Sequence, residues 1–263
     1  MFVENAKVVV KNLFDVESWV CVATGGGTGI GLMISQALAN NEAKVYITSR
    51  RQGVLEHTAK QWGSSLVYPK GKHIPVNWNE INKHNAGISD GKSDIEKGDR
   101  SAKDLAMELF GEDQASWENV YRTNAIGCFF TTTAFLPLLK ATSLSKSQHT
   151  GSVINITSAS GITRTTQYRY KYNVSKAAAI HLIGLNNIAP GIFPSEMTTG
   201  SFDELNGSQI PVGCLGHDED IAHTLAIDSE YLLQHHCQFR FRLHSPSFAY
   251  IIILNHRMLS AEL

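Results

Sequence analysis

The sequence predicts a single α/β domain built on a doubly wound parallel sheet, and three observations carry that expectation. Residues Val20 to Arg51, VCVATGGGTGIGLMISQALANNEAKVYITSRR, read without a break as strand, glycine turn, helix and second strand. The first strand, Val20 to Ala23, is apolar without alternation, which suits a strand covered on both faces, and a unit of about 30 residues of this kind makes its two strands parallel. A chain of 263 residues with 43% hydrophobic side chains is long and apolar enough for one α/β unit with a large core.

Residues 1 to 19 are a lead-in, with Phe14, Val16 and Trp19 available to cover the first strand. The turn holds Gly25, Gly26, Gly27, Gly29 and Gly31, so a ligand can approach its backbone without meeting a Cβ. Ile30 to Ala39 is amphipathic and predicts the helix, and Lys44 to Thr48 predicts the second strand. Unpaired N–H groups and the positive dipole end at the helix start favour an anion, here a diphosphate.

Thr24, Gly25, Gly29, Ile30 and Gly31 follow a T-G-x-x-x-G-I-G pattern that resembles the short-chain dehydrogenase/reductase family. The resemblance implies a Rossmann-type fold, a nicotinamide cofactor held by those residues, and oxidoreductase activity. Ser49-Arg50-Arg51 follows the second strand, where a carboxylate would select a free ribose 2′-hydroxyl and arginine can fork onto a 2′-phosphate. No acid occurs between Lys44 and Gly53, so Ser49, Arg50 and Arg51 point to NADP rather than to a merely solvated basic pair.

Gln52 to Trp62 predicts a helix, and Leu66 to Val76 a third strand interrupted by Pro69 and Pro75. Asn85-Ala86-Gly87 resembles the family's N-N-A-G signature, which implies cofactor contact, with His84 in place of the first asparagine. Only WNEINK separates the third strand from His84, too little for both a helix and a strand, so one crossover element is missing. Residues 89 to 103 are polar and predict a solvated loop. Trp117 to Leu139 regains the helical period and is long enough to cross the sheet and to pack on a second subunit. Asn124 within it, in YRTNAIGCFF, resembles the family's helix asparagine, which implies a water held for proton relay.

Gly151 to Ile156 predicts a strand ending in Thr157-Ser158-Ala159-Ser160-Gly161, and serines at a strand's carboxyl end line the crevice of an open α/β sheet. Of the tyrosines at 168, 170 and 172, only Tyr172 has a lysine four residues on, which puts Tyr172 and Lys176 on one helix face. The resemblance then implies roles. Tyr172 donates the proton, Lys176 stabilises the phenolate and holds the nicotinamide ribose, and Ser158, preferred to Ser160 by its spacing from Asn155 and Gly161, orients the substrate oxygen. Pro190-Gly191 and Thr198 or Thr199 resemble the segment beside the nicotinamide. Only 13 residues separate Lys176 from Pro190, short for a helix, a turn and a strand.

After Leu225 the likeness stops. The family's closing strand is absent, so residues 1–225 are expected to form the dinucleotide-binding domain and 226–263 an atypical carboxyl-terminal tail. His235, His236 and Cys237 are adjacent in it, a poor arrangement for one metal ion. A net charge of −1 gives no pull toward nucleic acid or anionic lipid, and FAYIIIL at 248 to 254 is too short to span a bilayer. Four scattered cysteines and no apolar leader fit a reducing, cytoplasmic setting. The expected activity is NADP-dependent interconversion of a ketone and a secondary alcohol, by a homo-oligomer if its interface helices are complete. The rival expectation is a non-catalytic or unstable variant that keeps the motifs without a complete sheet.

Overall fold

The computed structural model describes residues 15–17, 19–62, 66–67, 87–89, 101–143, 151–163, 168–182, 186–189, 193, 217–222 and 250–254. Strand β1, Val20–Thr24, leads through the glycine turn to helix α1, Gly29–Asn40, and β2, Lys44–Thr48, follows. Helix α2, Gln52–Trp62, and the short strand β3, Leu66–Val67, extend this half. Residues 68–86, with the rest of the expected third strand, lie outside the described residues.

Helices α3, Ala102–Phe110, and α4, Gln114–Tyr121, come next, each started by a side chain that accepts a backbone N–H, from Ser101 and Asp113 respectively. The long helix expected over 117–139 is α4, a π turn at Arg122–Ile126 and α5, Gly127–Ser143, in direct succession. Then come β4, Ser152–Ile156, a 3-10 turn at Ala159–Gly161, α6, Tyr170–His181, β5, Asn186–Ile188, and β6, Tyr250–Leu254.

The sheet order is β3-β2-β1-β6-β4-β5. β1 pairs in parallel with β2, β2 with β3 and β4 with β5. Strand β6 is the exception, antiparallel to both neighbours, with Ile252 opposite Val22 on one side and Val153 on the other. This strand lies within residues 226–263, the segment expected as an atypical carboxyl-terminal tail, and joins it to the sheet. Without β6, β1 and β4 would face each other across one vacant strand position. Two rows of unpaired N–H and C=O groups would be costly to bury, and the apolar segment at 250–254 pairs with both.

Alternation along each strand divides the core in two. Cys21, Ala23, Val45, Ile47, Ile154 and Ile156 join Ile30, Ile34 and Leu38 of α1 on one face, with Val16 and Trp19 of the lead-in against them. Val20, Val22, Tyr46 and Val153 meet Phe135 of α5 on the other. Helices therefore cover both faces, as the unalternating apolar first strand predicts. Among the described residues, no helix is long and apolar enough to cross a membrane.

Candidate active site

Two groups of residues lie at the carboxyl ends of the parallel strands. The first is the glycine turn. Gly25 and Gly29 take φ of 67° and 53°, left-handed values that glycine adopts without strain, and the Gly25 N–H donates to the Thr48 carbonyl at 2.8 Å, tying the turn to the end of β2. A Cβ at Gly31 would stand 2.3 Å from the Gly25 carbonyl oxygen, so only glycine lets α1 start this close to the turn. Thr28 precedes α1 in extended backbone but does not cap it with its side chain, and the first turn of α1 holds no acid. The hydroxyl of Thr28 instead accepts from Arg51 Nη2 at 3.2 Å, while the Arg51 N–H donates to Ser49 Oγ at 3.1 Å. Arg51 thus reaches across from the end of β2 to the turn. Helix-start amides without a side-chain cap, a close backbone and a neighbouring guanidinium fit the phosphates of a dinucleotide. Thr28 was missed by sequence reasoning, although a threonine directly before a helical pattern is itself a signal.

The second group is built on β4 and α6. Ser158 follows β4, is fully buried, and accepts the Ser160 N–H at 3.1 Å to start the 3-10 turn. That turn packs directly beneath α6, where a Cβ on Gly161 would lie 2.7 Å from the Lys176 carbonyl carbon. Tyr172 and Lys176 are each only 1% exposed, whereas Tyr168 and Tyr170 are half-buried. Burial pushes the Tyr172 phenol well above its ordinary range, and the adjacent Ser158 hydroxyl, then Arg169, pull it back. Arg169 was missed by sequence reasoning, though its place three residues before Tyr172 was visible. Lys176 Nζ donates to the Ile156 carbonyl at 3.0 Å, and burial pushes its ammonium down to about 7, opposed by Cys128.

Asn124 lies in the π turn, 1% exposed. Such a turn, with its i→i+5 bonds, is a local expansion of a helix that recurs at functional sites. The side chain acts as a clamp. Its Oδ1 accepts the Ile88 N–H at 2.9 Å, and its Nδ2 donates to the Ile88 carbonyl at 3.0 Å and to Ser175 Oγ at 2.9 Å. Ser175 in turn donates to the Tyr172 carbonyl at 2.7 Å. Asn124 therefore ties the segment after Gly87 to the helix of Tyr172 and Lys176. Ser175 was also missed, though a hydroxyl three residues after Tyr172 falls on the same helix face. Asn85, Ala86, Pro190, Gly191 and Thr198 lie outside the described residues, as do His235, His236 and Cys237.

The sequence pattern of the short chain dehydrogenase family matches residues 19–206. The chain is 34% identical over 257 residues to the short-chain dehydrogenase/reductase PhomF of Diaporthe leptostromiformis, covering 82% of this chain and 86% of that protein. It is 28% identical to the rhamnolipids biosynthesis 3-oxoacyl-[acyl-carrier-protein] reductase of Pseudomonas aeruginosa, covering 80% and 88%. The solved RhlG/NADP active-site complex of Pseudomonas aeruginosa superimposes with a TM-score of 0.64 at 27% identity, covering 81% of this chain and 91% of that one. With this sequence match, a glycine turn after β1 and a buried serine, tyrosine and lysine, the chain belongs to the short-chain dehydrogenase/reductase family of oxidoreductases.

Proposed function

We propose that this protein is an NADP-dependent oxidoreductase that interconverts a ketone and a secondary alcohol. The observation that carries the reading is the burial of Ser158, Tyr172 and Lys176 in one place at the carboxyl end of β4, with the Ser158 hydroxyl against the phenol. Gly25, Gly29, Gly31 and Arg51 would hold the dinucleotide, which would supply or accept the hydride. The Tyr172 hydroxyl gives its proton to the oxygen of the reduced carbonyl, and Ser158 orients that oxygen by hydrogen bonding. Lys176, four residues along the same helix face, favours the phenolate when charged. Burial of all three side chains keeps water from competing for these contacts.

The NADP preference is supported by Arg51 lying against the turn and by the absence of an acid after β2. The similar reductase and the NADP complex make NADPH and a 3-oxo ester the first pair to test. The partner is a small molecule. Ile126, Phe129, Phe130 and Leu136 form an exposed apolar stripe at helical spacing along the π turn and α5, a face for a second copy in a cytoplasmic homo-oligomer.

Tyr172→Phe tests the chemistry, because it keeps the ring and removes only the hydroxyl. NADPH oxidation with the 3-oxo ester should fall by at least about a hundredfold while NADPH affinity stays within about twofold. Retained turnover in that variant would overturn the assignment. For the cofactor, Arg51→Glu should weaken NADPH binding roughly tenfold to a hundredfold and leave NADH nearly unchanged. Equal NADPH and NADH affinity in the unaltered protein would remove the preference.

A further inference from the structure

Asn155 sits in the middle of this arrangement, yet the chemistry above gives it no part. It is fully buried in β4, three residues before Ser158. Its Oδ1 accepts from Cys128 Sγ of α5 at 3.8 Å, and its Nδ2 donates to Asn187 Oδ1 of β5 at 3.0 Å and to the Ala179 carbonyl of α6 at 3.4 Å. One side chain therefore bonds a helix on one side, a neighbouring strand and a second helix. Ala179 lies three residues after Lys176, and the residue after Asn155, Ile156, offers its carbonyl to Lys176 Nζ at 3.0 Å. Consecutive residues of β4 thus grip about one turn of α6, one through a side-chain donor and the other through a backbone acceptor.

Burying an amide in a sheet is unfavourable unless its hydrogen bonds are made, and Leu would fill the same volume without that demand. Satisfied polar networks do what an apolar core does not, which is to fix one relative placement of the elements they join. Asn187 stands directly opposite Asn155 in the β4–β5 register, so their bond runs across the sheet and fixes the direction of the amide. The single S–H of Cys128 lies between the opposite end of the same amide, at 3.8 Å, and the Asn124 carbonyl, at 3.0 Å, and is shared by the two acceptors. The network reaches Asn124, Lys176 and, along β4, Ser158.

We infer that Asn155 is a positioning residue, one that sets the spacing between the strand leading to Ser158 and the helix carrying Tyr172 and Lys176. The inference rests on the proposed activity for its consequence but on hydrogen bonding for its content, so two readouts separate them. In the full-length protein, Asn155→Leu should lower turnover of NADPH with the 3-oxo ester about tenfold to a hundredfold, the scale of a small misplacement of reacting groups. NADPH affinity should change less than turnover, because the glycine turn is anchored to β2. Amide hydrogen exchange should quicken across residues 170–181 while residues 29–40 stay protected.

Asn187→Ala, which removes one of the three bonds, should give a smaller loss in the same direction, and it carries the test if Asn155→Leu does not fold. If the unaltered protein has no NADPH-dependent turnover, the proposed activity fails, and exchange in α6 alone decides whether Asn155 positions that helix. Unchanged exchange in α6, or exchange that quickens with turnover intact, would overturn the inference.

Discussion

Strands β1 and β2 come from one stretch of 29 residues, Val20 to Thr48, and pair directly, whereas β1 and β4 meet only through β6, a segment from the far end of the chain. Both halves contain a close approach that only glycine permits, Gly31 against the Gly25 carbonyl in the first and Gly161 against the Lys176 backbone in the second. The first half closes short loops, and its partners are neighbours in sequence. The second must bring residues about 100 to 230 positions apart into register before any pairing energy is returned. The half with the glycine turn is therefore the locally determined one, and the half with the tyrosine and lysine depends on long-range assembly.

Breaking β6 should have the largest effect. Ile252→Pro removes a backbone N–H from a strand paired on both sides, a position where proline is excluded from sheets. The loss should be at least about 3 kcal/mol, a large share of the roughly 5 to 15 kcal/mol that holds a domain together. Urea denaturation measures it, and a midpoint equal to that of the unaltered chain would mean that β6 does not join the halves.

The two glycines sharpen the contrast. Gly31→Ala drives a Cβ into the turn and should abolish dinucleotide binding. Gly161→Ala pushes α6 away from the 3-10 turn, so turnover should fall about a hundredfold while NADPH binding is largely kept. Parallel calorimetric and kinetic measurements separate them, and identical losses in both variants would show that the halves are not distinct.

A subtler effect lies in the pH dependence of stability. The folded protein holds Lys176 at about 7, below its ordinary 10.5, so between these values the unfolded chain binds more protons. Stability should rise with pH through that window, by up to about 1.4 kcal/mol per pH unit, and the lysine's full cost is present below it. Cys21, pushed by burial from 9.0 up to about 12, has the opposite sign and acts only above its ordinary value, so the window from 7 to 9 isolates the lysine. Lys176→Met should flatten the rise in melting temperature across that window. An equal slope with and without the lysine would show that its ammonium is not desolvated.

The turn and its flanking elements were legible nearly to the residue. The helix expected over Ile30–Ala39 spans Gly29–Asn40, and the strand over Lys44–Thr48 and the helix over Gln52–Trp62 have the expected bounds. Of the candidate site, the Tyr172–Lys176 spacing and the serines after β4 could be read because each depends on neighbours within a turn or a strand. The clamp from Asn124 to Ile88, the hub at Asn155 and the reach of Arg51 to Thr28 span 23 to 36 positions and leave no periodic trace.

By itself, the sequence determined the parallel βαβ start, the anion-binding turn and the helical pairing of Tyr172 with Lys176. Periodicity, glycine placement and capping act over a few residues and are written into the chain directly. Only the tertiary structure decided that residues 250–254 fill the position between β1 and β4, and that they do so antiparallel. An apolar run such as YIIIL carries no mark of its partner. Backbone donors and acceptors are alike at every strand edge. The choice follows from which edges the rest of the fold leaves unpaired, and that is settled only when both halves of the sheet are in place.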